Sequence, residues 1–210
     1  MTYLFGMSDH TKIMLSHREL AIVADREFIL TKHRIIQQVF CLFEQQVPNV
    51  QALFGTIWRQ YVSIDRLPKI SKGEQYRQLP YVVMDYPAIF KKADRWAIRT
   101  MFCWGDAFSI TLQLTGQYKT LFIDRIVANA MLNRETAFYI GVNENEWEHH
   151  FEEDNYRPLV SFTHASLMEH FHQLPHIKIA LRYPLAQWNN MAQLFKEGYT
   201  LMSDLLKPIL

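Results

Sequence analysis

Only two cysteines, Cys41 and Cys103, occur in the 210 residues, so no disulfide framework can hold the fold. Both thiols are expected to act as small core hydrophobes in a reducing compartment. Glycine and proline are sparse too, at 7 and 8 residues. That scarcity argues against long disordered tracts and leaves little material for a phosphate-cradling loop. The chain has no G-x-x-x-x-G-K-[ST], G-x-G-x-x-G, G-x-S-x-G, H-E-x-x-H or C-x-x-C. This disfavours the common NTPases, dinucleotide enzymes, serine hydrolases and zinc ribbons, although an enzyme with a dispersed site stays open.

An excess of one charge is also lacking. The chain carries 22 Lys and Arg against 21 Asp and Glu, a formal net charge of +1. Nucleic-acid binders usually show a basic excess because phosphate contacts drive their affinity, so no nucleic-acid partner is expected. The same balance argues against a membrane surface held by charge. No run approaches the length of a membrane-spanning helix, and the start, Met1 to His10, lacks the basic-then-apolar order of a secretory leader. The cytoplasm is the expected location.

What is present suffices for a core. Hydrophobic residues make up 49% and charged residues 20%, which is ordinary globular usage. No repeat or Gly/Ser linker divides the chain, so residues 1–210 are expected to form a single domain, with residues 1–14 as a loose arm.

The hydrophobic period changes along the chain. Ser16-His17-Arg18-Glu19 matches a capping box and predicts a short helix, with Asp25 as a second N-cap. Over residues 26–46, Phe28/Ile29, Ile35/Ile36, Val39/Phe40 and Leu42/Phe43 recur at helical spacing. Pro48 is expected to end that helix, and residues 50–61 to form another. These paired apolar positions predict a wide buried stripe with Phe40 in the core. The stripe would pack against the C-terminal helix, or against the same helix of a second chain in a homodimer. Residues 67–79 read as a loop.

Short strands are predicted at 81–86, between Pro80 and Pro87, and at 97–103, 107–115, 137–142 and 177–183. In residues 107–115, Phe108, Ile110, Leu112 and Leu114 alternate with Ala107, Ser109, Thr111, Gln113 and Thr115, as in a sheet covered on one side. Gly105-Asp106 predicts a hairpin, with Gly105 at the first central position of a type II′ turn. Helices are expected at 119–134, at 163–173 capped by Thr163, and at 186–206, where Gly198 is a weak point. Residues 143–155 are acidic and irregular. The order implies an α+β fold, an antiparallel sheet of about five strands with helices mainly on one face.

Two stretches carry a resemblance. Gly73-Glu74-Gln75-Tyr76 with Leu79-Pro80-Tyr81 through Asp85-Tyr86-Pro87, and Ala97-Ile98-Arg99-Thr100-Met101-Phe102 with Trp104-Gly105, resemble a group of conserved bacterial proteins of unknown function. The resemblance implies a bacterial protein and transfers no activity.

Three constellations could carry chemistry. Asp85, Tyr86, Arg99, Lys178 and Arg182 lie on strands and could meet in a cleft that binds a small anionic ligand. The plainer alternative pairs Arg99 with a polar neighbour across strands on the solvent face. Six of nine histidines, His149, His150, His164, His170, His172 and His176, fall near Glu152, Glu153 and Asp154, and these are ligand types for zinc, iron or manganese. Adjacent His149 and His150 would point about 100° apart on a helix and to opposite faces of a strand, so no metal set is assigned. Trp58, Trp96, Trp104, Trp147 and Trp188 are scattered and read as core or core edge.

The leading expectation is a non-enzymatic binding or interaction module. The alternatives are a small enzyme using Asp85, Tyr86 and Arg99, and a metal-binding protein using the His149–His176 region. No cofactor is indicated.

Overall fold

A computed structural model describes residues 14–62 and 67–209. The chain divides into two compact units, Met1–Gln38 and Val39–Leu210.

In the first unit, helix α1 spans His17–Ala24. The expected capping box is present. Ser16 Oγ accepts from the Glu19 amide at 3.2 Å, and the Glu19 carboxylate accepts from the Ser16 amide at 2.7 Å. Asp25 Oδ1 accepts from the Phe28 amide at 3.1 Å, which starts helix α2, Arg26–Trp58, whose residues from Val39 onward belong to the second unit.

Pro48 lies inside α2, so the expected break does not occur. A proline removes one ladder bond. Burial of Phe43, Val50, Phe54 and Trp58, each 0% exposed, offsets that loss on both sides of Pro48. The stripe is one residue wide, at three- and four-residue steps. Phe40 lies beside it and is only half-buried, which corrects its expected core position. The core partner is Phe43, whose ring meets Phe195 edge-on at 5.8 Å.

The second unit is α+β. Its seven strands form one antiparallel sheet in the order β1-β2-β3-β4-β7-β5-β6. They are β1 Lys69–Tyr76, β2 Leu79–Phe90, β3 Arg95–Cys103, β4 Ala107–Thr115, β5 Tyr139–Gly141, β6 Tyr156–Pro158 and β7 His176–Pro184. Helices α3 (Gly116–Leu132), α4 (His164–Gln173) and α5 (Met191–Asp204) complete it. Residues 185–190, expected at the start of the last helix, form a separate 3₁₀ turn.

β1 was expected as a loop because its charges and Gly73 hide the alternation. It is an edge strand, and a Cβ on Gly73 would lie 2.5 Å from the ring of its cross-strand partner Tyr81. The β3–β4 hairpin forms as expected, closed by Asp106 N–H to the Cys103 carbonyl at 3.2 Å. Gly105, at φ +77°, is the second central residue of that turn and not the first. The left-handed φ is the reason glycine stands there.

The two sheet faces differ sharply. Tyr86, Trp96, Ile98, Phe102, Phe108, Ile110, Leu112 and Leu181 share the apolar face, through the register of β2, β3, β4 and β7. Phe122 of α3 packs at 5.0 Å from Trp96, and Phe195 of α5 at 5.6 Å from Phe108. A Cβ on Gly198 would lie 2.7 Å from Ile110 Cδ1 and 2.2 Å from Tyr183 Oη. The apparent weak point is therefore where α5 sits closest to the sheet.

The opposite face carries the polar residues, and over β4 it is covered. All nine residues of β4 are buried, which corrects the expected solvent face. The irregular segment 142–155 lies across it. Glu146 takes Arg95 and Gln113, each at 2.6 Å, and Tyr76 Oη accepts the amides of His149 and His150 at 2.7 and 2.9 Å.

Both cysteines are free thiols; Cys103 is buried, whereas Cys41 is exposed, on the side of α2 away from the Val39–Phe43 stripe, which corrects its expected core position. Among the described residues no helix is long and apolar enough to cross a membrane.

Candidate functional site

Cross-strand register builds the site. Lys69, Asp85, Arg99 and Thr111 are successive partners on β1, β2, β3 and β4. Partners directly opposite in antiparallel strands point to one face, so one row of the polar face carries two cations around one carboxylate. Arg99 Nε donates to Asp85 Oδ1 at 2.8 Å and Nη2 to Oδ2 at 2.9 Å. Both side chains are largely buried, at 11% and 8% exposure. Nη1 lies 3.0 Å from His149 Nε2. A guanidinium only donates, so Nε2 accepts and the ring proton sits on Nδ1.

A β-bulge supplies the aromatic wall. Between Tyr86↔Ile98 and Ile89↔Trp96, β2 holds Pro87 and Ala88 against Ala97 alone. Ala88 takes φ +55°, a left-handed value. The extra residue shifts the alternation, and Phe90 joins Asp85 on the polar face although five positions separate them. Phe90 and Trp147 then stand 6.0 Å apart, with the Arg99 guanidinium 5.8 and 5.3 Å from their centroids.

These groups enclose a hollow of about 490 Å³. Asp85, Arg99, Val83 and Met101 form its floor, with Tyr76, Tyr81, Phe90, Trp147 and His149 around it and Lys69, Ser71 and Gln75 towards β1. Loss of water around His149, and then the charges of Arg99 and Lys178, hold its pKa well below the ordinary value, so the ring is neutral near pH 7. Burial raises the Tyr76 phenol to about 12. The hollow thus holds Lys69 and Arg99 against Asp85, an excess of one positive charge.

Beside it, Lys178 of β7 is 1% exposed. Its Nζ donates to the Glu148 carbonyl at 2.5 Å and sits 4.9 Å over the Tyr156 ring. Burial first, and the nearby Arg99 second, lower its pKa to about 7. A Cβ on Gly141 would come within 2.7 Å of Lys178 Cβ, so glycine lets β5 approach β7 there.

The five residues expected at a cleft are not all brought together, and Lys178 lies buried beside the hollow without lining it. Asp85 and Arg99 pair on the floor of the hollow. Tyr86, next to Asp85 in an extended strand, points to the opposite face, where its hydroxyl accepts from Trp58 Nε1 at 2.8 Å. Arg182 shares the polar face but binds Asp106 at 2.9 Å in a second hollow of about 310 Å³. Phe90, Trp147, His149 and Tyr76 were not singled out for this site. Trp147 offered one signal, as a large aromatic in an otherwise acidic irregular segment.

The histidines also separate. His149 faces the first hollow and His150 the second. His170 Nε2 lies 2.9 Å from the Gly141 carbonyl, His164 and His172 are exposed, and His176 is buried in β7. Among the described residues, the one group able to hold a metal ion is His150, Glu152 and Asp154.

Compared with known proteins, the chain matches no family model, no curated protein and no solved structure.

Proposed function

We propose that this chain is a non-enzymatic binding domain for a small planar anion, held in the hollow over the Asp85–Arg99 pair. One observation carries the proposal. A buried, bidentate ion pair forms the floor of a hollow with aromatic walls, and the second cation Lys69 leaves an excess of one positive charge. Aromatic walls suit a flat ligand body. An arginine has five N–H donors in a planar fork, so beyond the bonds to Asp85 and His149 the fork has donors for an acid group. A binding role fits the chemistry better than catalysis, because His149 Nε2 accepts from Arg99 and cannot also take a substrate proton. The free thiols Cys41 and Cys103 suit a reducing compartment such as the cytoplasm.

The test titrates benzoate and indole-3-acetate into the full chain, with benzylamine as the cationic control, and follows the Trp147 indole N–H by NMR. The carboxylates should shift it saturably and benzylamine should not. Lys69→Gln should weaken the carboxylates several-fold, and Trp147→Ala, followed by titration calorimetry because it lacks the indole reporter, should lose most of the binding. No saturable shift with either carboxylate, or equal response to benzylamine, would sink the proposal.

A further inference from the structure

We infer that His150, Glu152 and Asp154 form a site for one divalent first-row cation of the manganese or zinc class, on the far side of segment 142–155 from the proposed anion hollow. The inference is independent of that function, since none of the three residues lines the first hollow.

The local backbone sets the three side chains. Tyr156 and Asn155 amides both reach the Glu152 carbonyl, at 2.9 and 3.0 Å, and close a tight turn. Asn155, 0% exposed, donates from Nδ2 to the His150 carbonyl at 2.5 Å. Its own carbonyl takes the Val142 amide at 2.8 Å, which ties the turn to the end of β5. Alternate residues 150, 152 and 154 therefore converge on one side of a braced turn.

Their spacing fits ligands better than hydrogen bonds. His150 Nδ1 lies 3.6 Å from Glu152 Oε2 and 3.8 Å from Asp154 Oδ1. Both exceed hydrogen-bond length. Donors bonded at about 2.1 Å in tetrahedral array stand about 3.4 Å apart, so small side-chain rotations would seat an ion between them. The His150 side chain is only 10% exposed, and its Nδ1 is buried with no hydrogen-bond partner. Leaving such an atom unpaired is costly, and here it faces two carboxylates. The carboxylates are 62% and 68% exposed, so an ion can reach them from solvent.

Arg77 does not block the site. Its shorter bond, 2.9 Å, goes to Glu152 Oε1, while Oε2 receives the longer one at 3.3 Å. A carboxylate oxygen has two lone pairs, so Oε2 can bridge the guanidinium and an ion. One imidazole with two carboxylates is a borderline-to-hard donor set, which suits Mn²⁺ or Zn²⁺ and disfavours Cu⁺.

The experiment uses the full chain, stripped with a chelator. Mn²⁺ is titrated by loss of its free-ion EPR signal, and Zn²⁺ against a chromophoric chelator. One equivalent of at least one ion should bind. Asp154→Asn, an exposed change that should leave the circular dichroism unaltered, should weaken that binding about tenfold or more. His150→Gln should do the same, and substoichiometric Mn²⁺ should broaden the amide signals of residues 150–154 first. Absence of stoichiometric binding of both ions overturns the inference. So does binding that Asp154→Asn leaves unchanged, which would assign the ion to other histidines.

Discussion

Arg99 holds both oxygens of Asp85 from the neighbouring strand, at 2.8 and 2.9 Å, in a place where each side chain keeps about a tenth of its surface. A buried pair of this kind is costly to break because the surviving charge is left without a partner. Asp85→Ala should therefore destabilise the fold by about 3–5 kcal/mol. The double variant Asp85→Val, Arg99→Met should cost less than that single change. Urea denaturation of the three proteins decides it, and a single-variant loss below about 1 kcal/mol would mean the pair is solvated.

Helix α2 gives a second contrast. Phe43 is fully buried against Phe195, while Phe40 is half-buried. Phe43→Ala should cost about 3–5 kcal/mol. Phe40→Ala should cost much less, about 1 kcal/mol, as the area it keeps from water is smaller. Equal losses in chemical denaturation would put the stripe in the wrong place.

Gly198 tests the seating of α5. In an open helix, Gly→Ala would stabilise by about 1 kcal/mol. Here the new methyl group meets Ile110 and Tyr183, and overpacking costs about 1–3 kcal/mol. Gly198→Ala should be net destabilising, and adding Tyr183→Phe should recover part of the loss. A rise in the melting temperature of the single variant would contradict the close approach.

Lys178 should leave a mark on the pH profile. Its pKa falls from 10.5 in the unfolded chain to about 7 in the folded protein, mainly by burial. Between those values the unfolded chain binds more protons, so stability rises with pH across that window. Below pH 7 the penalty for burying the charge is fully present. Lys178→Met should be less sensitive than wild type between pH 7 and 9.5. Parallel urea midpoints for the two proteins would show that Lys178 titrates normally.

Much of this fold is legible in the chain. Alternation in residues 107–115 matches β4 without a shifted boundary, and Ser16, Asp25 and Thr163 each cap the helix assigned to them. These signals are local. A capping side chain reaches only three residues ahead, and a strand repeats every two, so both can be read in one short window. The Gly105 hairpin belongs with them, although the hydrogen-bond register decides which turn position the glycine takes.

The site is another matter. Asp85 and Arg99 stood out as charges inside strands, but their pairing depends on the β2–β3 register, which no single strand contains. Phe90 reaches the same face only because a bulge at Pro87 and Ala88 resets the alternation. Pro48 inside α2 and the buried polar face of β4 are tertiary outcomes too, since distant segments cover what local propensity would leave weak or wet. His149 and His150 make the division plain. Adjacency alone sent them in different directions, and only the packed turn of residues 150–155 decided that one faces an arginine and the other two carboxylates. Period and capping are properties of neighbouring residues. Register, bulge placement and convergence across the sheet depend on the free energy of the whole packed unit, so they appear only in the tertiary structure.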